Sequence, residues 1–162
     1  MDHMDAIEEA WRRERPDVDV GALVLLGRLF RTASLADAEL AGELAQRDLQ
    51  RGWFNLLAAL RRSGPPFELR PGELMQATML SSAGMTKRLD RLVEAGLVER
   101  RPDPDDRRGT LVRLTAAGRR AIDGALPVHV ANEERLLGPL SATERRTLDR
   151  LLRKLLGPME SG

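Results

Sequence analysis

The stretch that most limits what this chain can fold into is Thr78–Thr115. Its first half carries Met85, Leu89, Leu92 and Val93 at helical spacing, which makes one apolar stripe. Ser81 or Ser82 is suited to cap the first turn, because a short hydroxyl side chain accepts from the orphan N–H groups there. With a helical turn of about 100° per residue, Ala83, Lys87, Asp90, Arg91 and Glu94 fall on the opposite face and Arg88 at the edge. Gly96 tolerates positive φ and is predicted to end the helix. Leu97–Arg100 and Thr110–Leu114 then read as two short strands. The span between them, Arg101–Gly109, holds two prolines together with Arg101, Arg107 and Arg108. An amphipathic helix followed by a basic β-hairpin predicts a recognition helix and a wing.

The rest of the chain reads as helices that carry this unit. Ala6–Arg15 forms a short amphipathic helix bearing Trp11 as a packing anchor, and Pro16 stops it. The opening Met1–Met4 is given no structural weight. Val18–Leu44 presents Leu23, Leu26, Phe30, Ala33, Leu40 and Leu44 as a long helical stripe with an expected break near Ser34. Asp48–Arg62 follows with Leu49, Trp53, Leu56, Leu57 and Leu60 inward, and Ser63-Gly64-Pro65-Pro66 ends it. Phe67–Leu69 is a candidate strand able to pair with the wing. Pro71–Met79 opens a new helix with proline in its first turn, where the missing N–H has no partner to lose.

After the wing, Thr115 is expected to cap a long helix reaching about Leu137. Pro127 lies inside it, so a kink or break is expected near Leu126. Ser141-Ala142-Thr143-Glu144 is a capping box that opens the last helix, Ala142–Leu156. This helix sets Leu148, Leu151, Leu152, Leu155 and Leu156 on one face. It cannot bury so much leucine alone, so a partner is expected. The fold class is therefore mainly α with a small β-hairpin wing: a winged helix-turn-helix lobe plus a helical dimerisation lobe. The expected divisions are 1–46 for N-terminal helices, 47–115 for the winged lobe and 116–162 for C-terminal dimerisation helices.

Composition narrows the function. The aromatics are only Trp11, Phe30, Trp53, Phe54 and Phe67, so the core must be aliphatic, which favours helices. There is no cysteine, which removes disulfides, thiol redox sensing and zinc-thiolate sites. No apolar run suits a membrane span and no secretory signal is visible, so a cytoplasmic protein is expected. Residues 81–120 hold ten basic and six acidic side chains, whereas the whole chain carries only +1. A local basic patch on a nearly neutral chain fits a specific DNA reader. No nucleophile elbow, phosphate loop or acid–base pair points to an enzyme, and no cofactor is implied. His129 has no second ligand at metal spacing, and it reads as a packing residue, with ligand contact or pH sensing as the alternative.

The helix Ser81–Ala95, the tail Gly96-Leu97-Val98-Glu99-Arg100 and the wing signature Asp106-x-Arg108-x-x-x-Val112-x-Leu114-Thr115 together resemble the multiple antibiotic resistance regulator (MarR) family of winged helix-turn-helix repressors. The likeness extends over nearly the whole chain. It implies a homodimer, with both chain ends in the interface, that binds a double-stranded pseudo-palindromic operator. Ala83 and Gly84 keep the helix N-terminus slim enough for a groove. Ser81, Ser82, Thr86 and Lys87 then reach bases or backbone, and Arg91 reaches phosphate. Arg107 and Arg108 stand where a side chain enters the minor groove, and the resemblance favours Arg108. Asp106 serves to orient a neighbouring arginine, since a carboxylate repels phosphate.

A finer likeness bears on an effector. The run Trp11–Asp19, Leu57–Arg62 and Val130–Leu137 resemble the urate-responsive branch, which has an extra N-terminal helix with a tryptophan. There a tryptophan, an aspartate and a recognition-helix arginine form the effector site. Trp11 and Arg88 match by position, whereas Asn55 stands in place of the aspartate. A neutral amide leaves Arg88 without a competing carboxylate, which favours a small anion such as a carboxylate-rich metabolite or an aromatic acid over urate. The rival readings are a winged-helix module for protein assembly and a constitutive DNA binder with no effector.

Overall fold

The computed structural model describes residues 2–78, 82–106 and 109–161. Ser81, Arg107 and Arg108, three of the expected DNA contacts, lie outside the described residues, as do the side chains of Ser82 and Ala83. The elements run α1 (His3–Glu14), α2 (Gly21–Ala45), α3 (Arg51–Arg62), β1 (Glu68–Leu69), α4 (Pro71–Thr78), α5 (Ser82–Glu94), β2 (Val98–Pro102), β3 (Thr110–Leu114), α6 (Ala116–Leu136) and α7 (Ala142–Glu160). They form two compact units, residues 1–42 and 43–162.

In the first unit the opening residues do carry structure, contrary to expectation. Asp2 caps α1, its carboxylate accepting from the Met4 and Asp5 N–H groups while Asp5 accepts from the Asp2 N–H in return. Met4 is buried against Gly27, where any side chain would meet its sulfur. Arg28 donates to Asp2 at 2.9 Å and to Asp5, which pins the cap to α2. The expected break near Ser34 is absent. The run from Ala33 to Ala41 is rich in alanine and leucine, whose helix propensity carries α2 through unbroken. Leu25 and Phe30 on α2 remain 67% exposed.

In the second unit, α3 starts three residues later than the spacing suggested. Asp48 takes a left-handed φ of 56° and the Leu49 N–H donates back to the Leu44 carbonyl at 3.0 Å, so the chain turns before the helix begins. Leu56, Leu57 and Leu60 of α3 are fully buried, in one core with Leu74, Met85, Leu89, Leu92, Val112 and Ile122. The sheet is antiparallel in the order β1-β3-β2, with Leu69 opposite Val112 and Arg100 also opposite Val112. The expected pairing of the short strand with the wing is present. Phe67 itself stands outside the strand at φ 63°, though its carbonyl accepts from the Leu114 N–H at 3.0 Å.

Gly96 ends α5 at φ 67°, and the Leu97 N–H reaches back to the Leu92 carbonyl at 3.0 Å, as a Schellman closure requires. Val93 departs from the expected stripe and is 37% exposed, because the core is met by the Met85-Leu89-Leu92 line instead. Thr115 caps α6, accepting from Gly118 N–H at 3.0 Å and donating to the Gly96 carbonyl at 2.7 Å. No break occurs at Pro127. Ile122, Ala125 and His129 hold both halves of α6 on the core, while Pro127 lies on the exposed side. The capping box of α7 forms as expected, and the helix runs on to Glu160. None of its residues is buried: Leu151, Leu155 and Leu156 are 44%, 48% and 50% exposed.

Candidate nucleic-acid interface and effector site

Helix α5 is fixed by its buried edge. Met85, Leu89 and Leu92 are sunk in the core, so the helix cannot rotate without exposing them. Thr86, Lys87, Arg91 and Glu94 are thereby held in solvent, with Arg88 and Asp90 at half-buried edges. Asp90 accepts from Arg100 Nη2 at 2.7 Å, an ion pair that ties α5 to the first wing strand. Sequence spacing placed Asp90 on the open face and did not reveal this partner.

The wing is held at its stem by a second pair that the sequence did not suggest. Asp103 follows β2, and its side chain is 1% exposed. Its Oδ2 accepts from Arg70 Nε at 2.6 Å, and its Oδ1 accepts from the Asp105 N–H at 2.9 Å. The Arg70 guanidinium and the Asp105 N–H hold the Asp103 carboxyl below the usual carboxylate range. The Asp103 N–H donates to the Gly109 carbonyl at 3.1 Å, and the Gly109 N–H donates to the Asp106 carbonyl at 2.8 Å. Asp106 is exposed. In the sequence, Asp103 looks like one of three loop aspartates. Only the approach of Arg70, 33 residues away, distinguishes it.

The expected effector residues divide between the two units. Trp11 lies on α1, 43% exposed. Arg88 turns inward, as its place at the stripe's edge suggested: a Cβ added at Gly52 of α3 would stand 2.7 Å from Arg88 Nε. Glycine there gives the guanidinium stem its room. Asn55, one turn along α3, lines a cavity of about 370 Å³ with Arg51, Arg62, Thr78, His129 and Glu133 among its walls. Arg88 is not among the residues lining it. Two arginines against one glutamate make the cavity wall positive on balance. His129 is buried, its ring centroid 4.3 Å from that of Phe54 and its Nε2 3.5 Å from Glu133. Packing thus holds for His129, and the same residue also faces the cavity. Among the described residues no group of His, Asp and Glu side chains is placed to hold a metal ion, and no helix is long and apolar enough to cross a membrane.

Residues 47–109 match the family model described as the MarR family. The chain is 38% identical over 154 residues to the HTH-type transcriptional regulator PecS of Dickeya dadantii, covering 95% of this chain and 90% of that protein. A crystal structure of a MarR variant from Escherichia coli, complexed with operator DNA, is 32% identical with a TM-score of 0.76, covering 86% of this chain and 99% of that one. Bordetella bronchiseptica BpsR, described as regulated in its DNA binding by 6-hydroxynicotinic acid, is 28% identical with a TM-score of 0.71, over 81% of this chain and 98% of that one. With the helix, wing and cap geometry above, these likenesses place the chain in the MarR family of DNA-binding transcriptional regulators.

Proposed function

We propose that the protein is a homodimeric repressor that holds a pseudo-palindromic operator and releases it when a small anion binds. The observation that carries the DNA half is the fixed rotation of α5, with Met85, Leu89 and Leu92 buried and Thr86, Lys87 and Arg91 outward. Each recognition helix enters a major groove and each wing a flanking minor groove, with half-sites about one helical turn apart. Ser81, Ser82, Ala83, Thr86, Lys87 and Arg91 face the major groove and its phosphates, and Asp106, Arg107 and Arg108 serve the minor groove. The leucine face of α7 and the exposed Leu25 and Phe30 of α2 supply the apolar surface for a second copy. Such a regulator works in the cytoplasm, beside its operator.

The effector half follows the pattern of the urate-responsive branch with one change. Asn55 replaces a carboxylate, so an aromatic acid or a carboxylate-rich metabolite suits the site better than urate. The control of BpsR by an aromatic acid supports this class, and so do Arg51 and Arg62 in the cavity that Asn55 lines. Trp11, the third residue of the pattern, is tested by its own substitution. Arg88 belongs to α5, so an anion that draws on its guanidinium acts directly on the DNA-reading helix. Release requires that the anion bind the DNA-incompetent state more tightly than the competent one. The test is to select a duplex from random sequence with the wild-type protein, then titrate the complex with di- and tricarboxylates, salicylate and urate. Release by an anion is expected. Binding to no duplex would favour a protein-assembly module, and binding that no anion disturbs would favour a constitutive DNA binder.

A further inference from the structure

We infer that Arg70 and Asp103 are positioning residues for operator recognition, setting the angle at which the wing meets DNA without touching DNA themselves. The inference rests on the DNA-binding reading of α5 and the wing. Arg70 stands between β1 and α4, and its N–H donates to Glu73 at 2.6 Å, at the entry to α4, the helix that precedes the recognition helix. Its side chain crosses to the far end of β2 and donates to Asp103 at 2.6 Å. One guanidinium thus joins the entry of the helix-turn-helix to the stem of the wing.

The receiving end is built to hold one geometry. Asp103 is buried, and its two carboxylate oxygens are used by different donors, Arg70 on Oδ2 and the Asp105 N–H on Oδ1. Its own N–H closes the stem onto Gly109. Gly109 is what allows this: a Cβ there would stand 2.9 Å from Asp103 Cβ and 3.0 Å from Asp106 Cβ. Arg70 Nη2 also lies 3.8 Å from Asp105 Oδ2, so the guanidinium follows the stem outward. Beyond its short pairing with β1 the wing is a two-stranded ribbon, which twists more strongly than a wider sheet and is only marginally stable by itself. Two ion pairs brace it, Asp90–Arg100 from α5 to β2 and Arg70–Asp103 from the entry of α4 to the residue that follows β2. The wing tip, which carries Arg107 and Arg108 in sequence, is displaced by any tilt at the stem, and groove contacts lose strength steeply with such misplacement.

The test measures operator affinity and footprint for wild type, Arg70→Met, Arg70→Lys and Asp103→Asn, each alone and with Arg108→Ala, on a duplex selected by the wild-type protein. Arg70 is half-exposed, so its variants should fold even where Asp103→Asn does not, and thermal unfolding checks this. We expect Arg70→Met to weaken binding by about fivefold or more, the order of one groove contact, with Arg70→Lys recovering part of the loss. Protection should fade at the operator flanks while the central half-site positions stay protected. In the Arg108→Ala background Arg70→Met should cost little more, because both act through the same wing contact. Wild-type affinity in Arg70→Met, uniform loss of protection across the site, or full additivity with Arg108→Ala would overturn the positioning role alone. If the wild-type protein selects no duplex, the DNA-binding reading falls and takes this inference with it.

Discussion

A Cβ built on Gly118 would overlap the carbonyl oxygen of Leu97 and stand 2.9 Å from its carbonyl carbon. The first turn of α6 therefore rests backbone to backbone on the peptide that joins α5 to β2. The same Leu97 carbonyl accepts from the Thr115 N–H at 3.1 Å, so cap and contact share one atom. Gly118→Ala is expected to cost about 2–4 kcal/mol, since the opposing group is rigid backbone and not a mobile side chain. Gly124→Ala in the same helix, where nothing lies within 4 Å, should instead be neutral or stabilise by up to about 1 kcal/mol. Urea unfolding of the two variants checks the contrast.

Assembly is the next expectation. The half-exposed leucines of α7 are expected to be covered by a second copy, so the protein should sediment as a dimer at micromolar concentration. Leu151→Glu with Leu155→Glu should give a folded monomer that binds a single half-site weakly. A wild-type monomer under these conditions would remove the two-half-site arrangement.

Effector preference should follow the charge around Arg88. Arg88→Ala is expected to retain operator binding but to lose its release by salicylate or tricarboxylates, read by fluorescence anisotropy. Asn55→Asp returns a carboxylate to the site and should shift preference away from polyanions and towards urate. Trp11→Ala should weaken the response to aromatic acids more than to aliphatic ones. Unchanged release in Arg88→Ala would place the anion elsewhere.

Asp103 gives a pH dependence of definite sign. Its carboxyl is held lower in the folded chain than in the unfolded one by Arg70 and by the Asp105 N–H. The stability this supplies is fully present above the unfolded value near about 3.9, and it is lost as pH falls through the folded value. The stability gap between wild type and Asp103→Asn should therefore stay constant from neutrality down to about pH 5 and narrow only on further acidification. A gap that changes between about pH 6 and 8 would mean that another group carries the effect.

Where the decisive partners are close in sequence, the fold was legible. The Gly96 stop, the Thr115 cap and the Ser141–Glu144 box each depend on groups within a turn or so, and all three form. The edge position of Arg88 also followed from helical periodicity, and the side chain is half-buried there beside Gly52. What periodicity could not supply were pairings across the fold. Arg70–Asp103 and Asp90–Arg100 join elements that nothing local marks as neighbours. Pro127 produces no break for a related reason: the penalty of a helical proline is local, but the burial of Ile122, Ala125 and His129 on either side of it is tertiary. Asp2 and Met4 looked like a featureless start because their value lies in Arg28 and Gly27, more than twenty residues on.

The central claim is that α5 and the wing meet DNA, and the salt dependence of operator affinity tests it most directly. For a duplex selected by the wild-type protein, log affinity should fall steeply and linearly with log salt, since each neutralised phosphate releases counterions. Lys87→Ala and Arg91→Ala should each reduce that slope by about one per subunit, and Arg108→Ala should cost at least about 1 kcal/mol without unfolding the protein. A flat salt response, or wild-type slope and affinity in all three variants, would contradict the account.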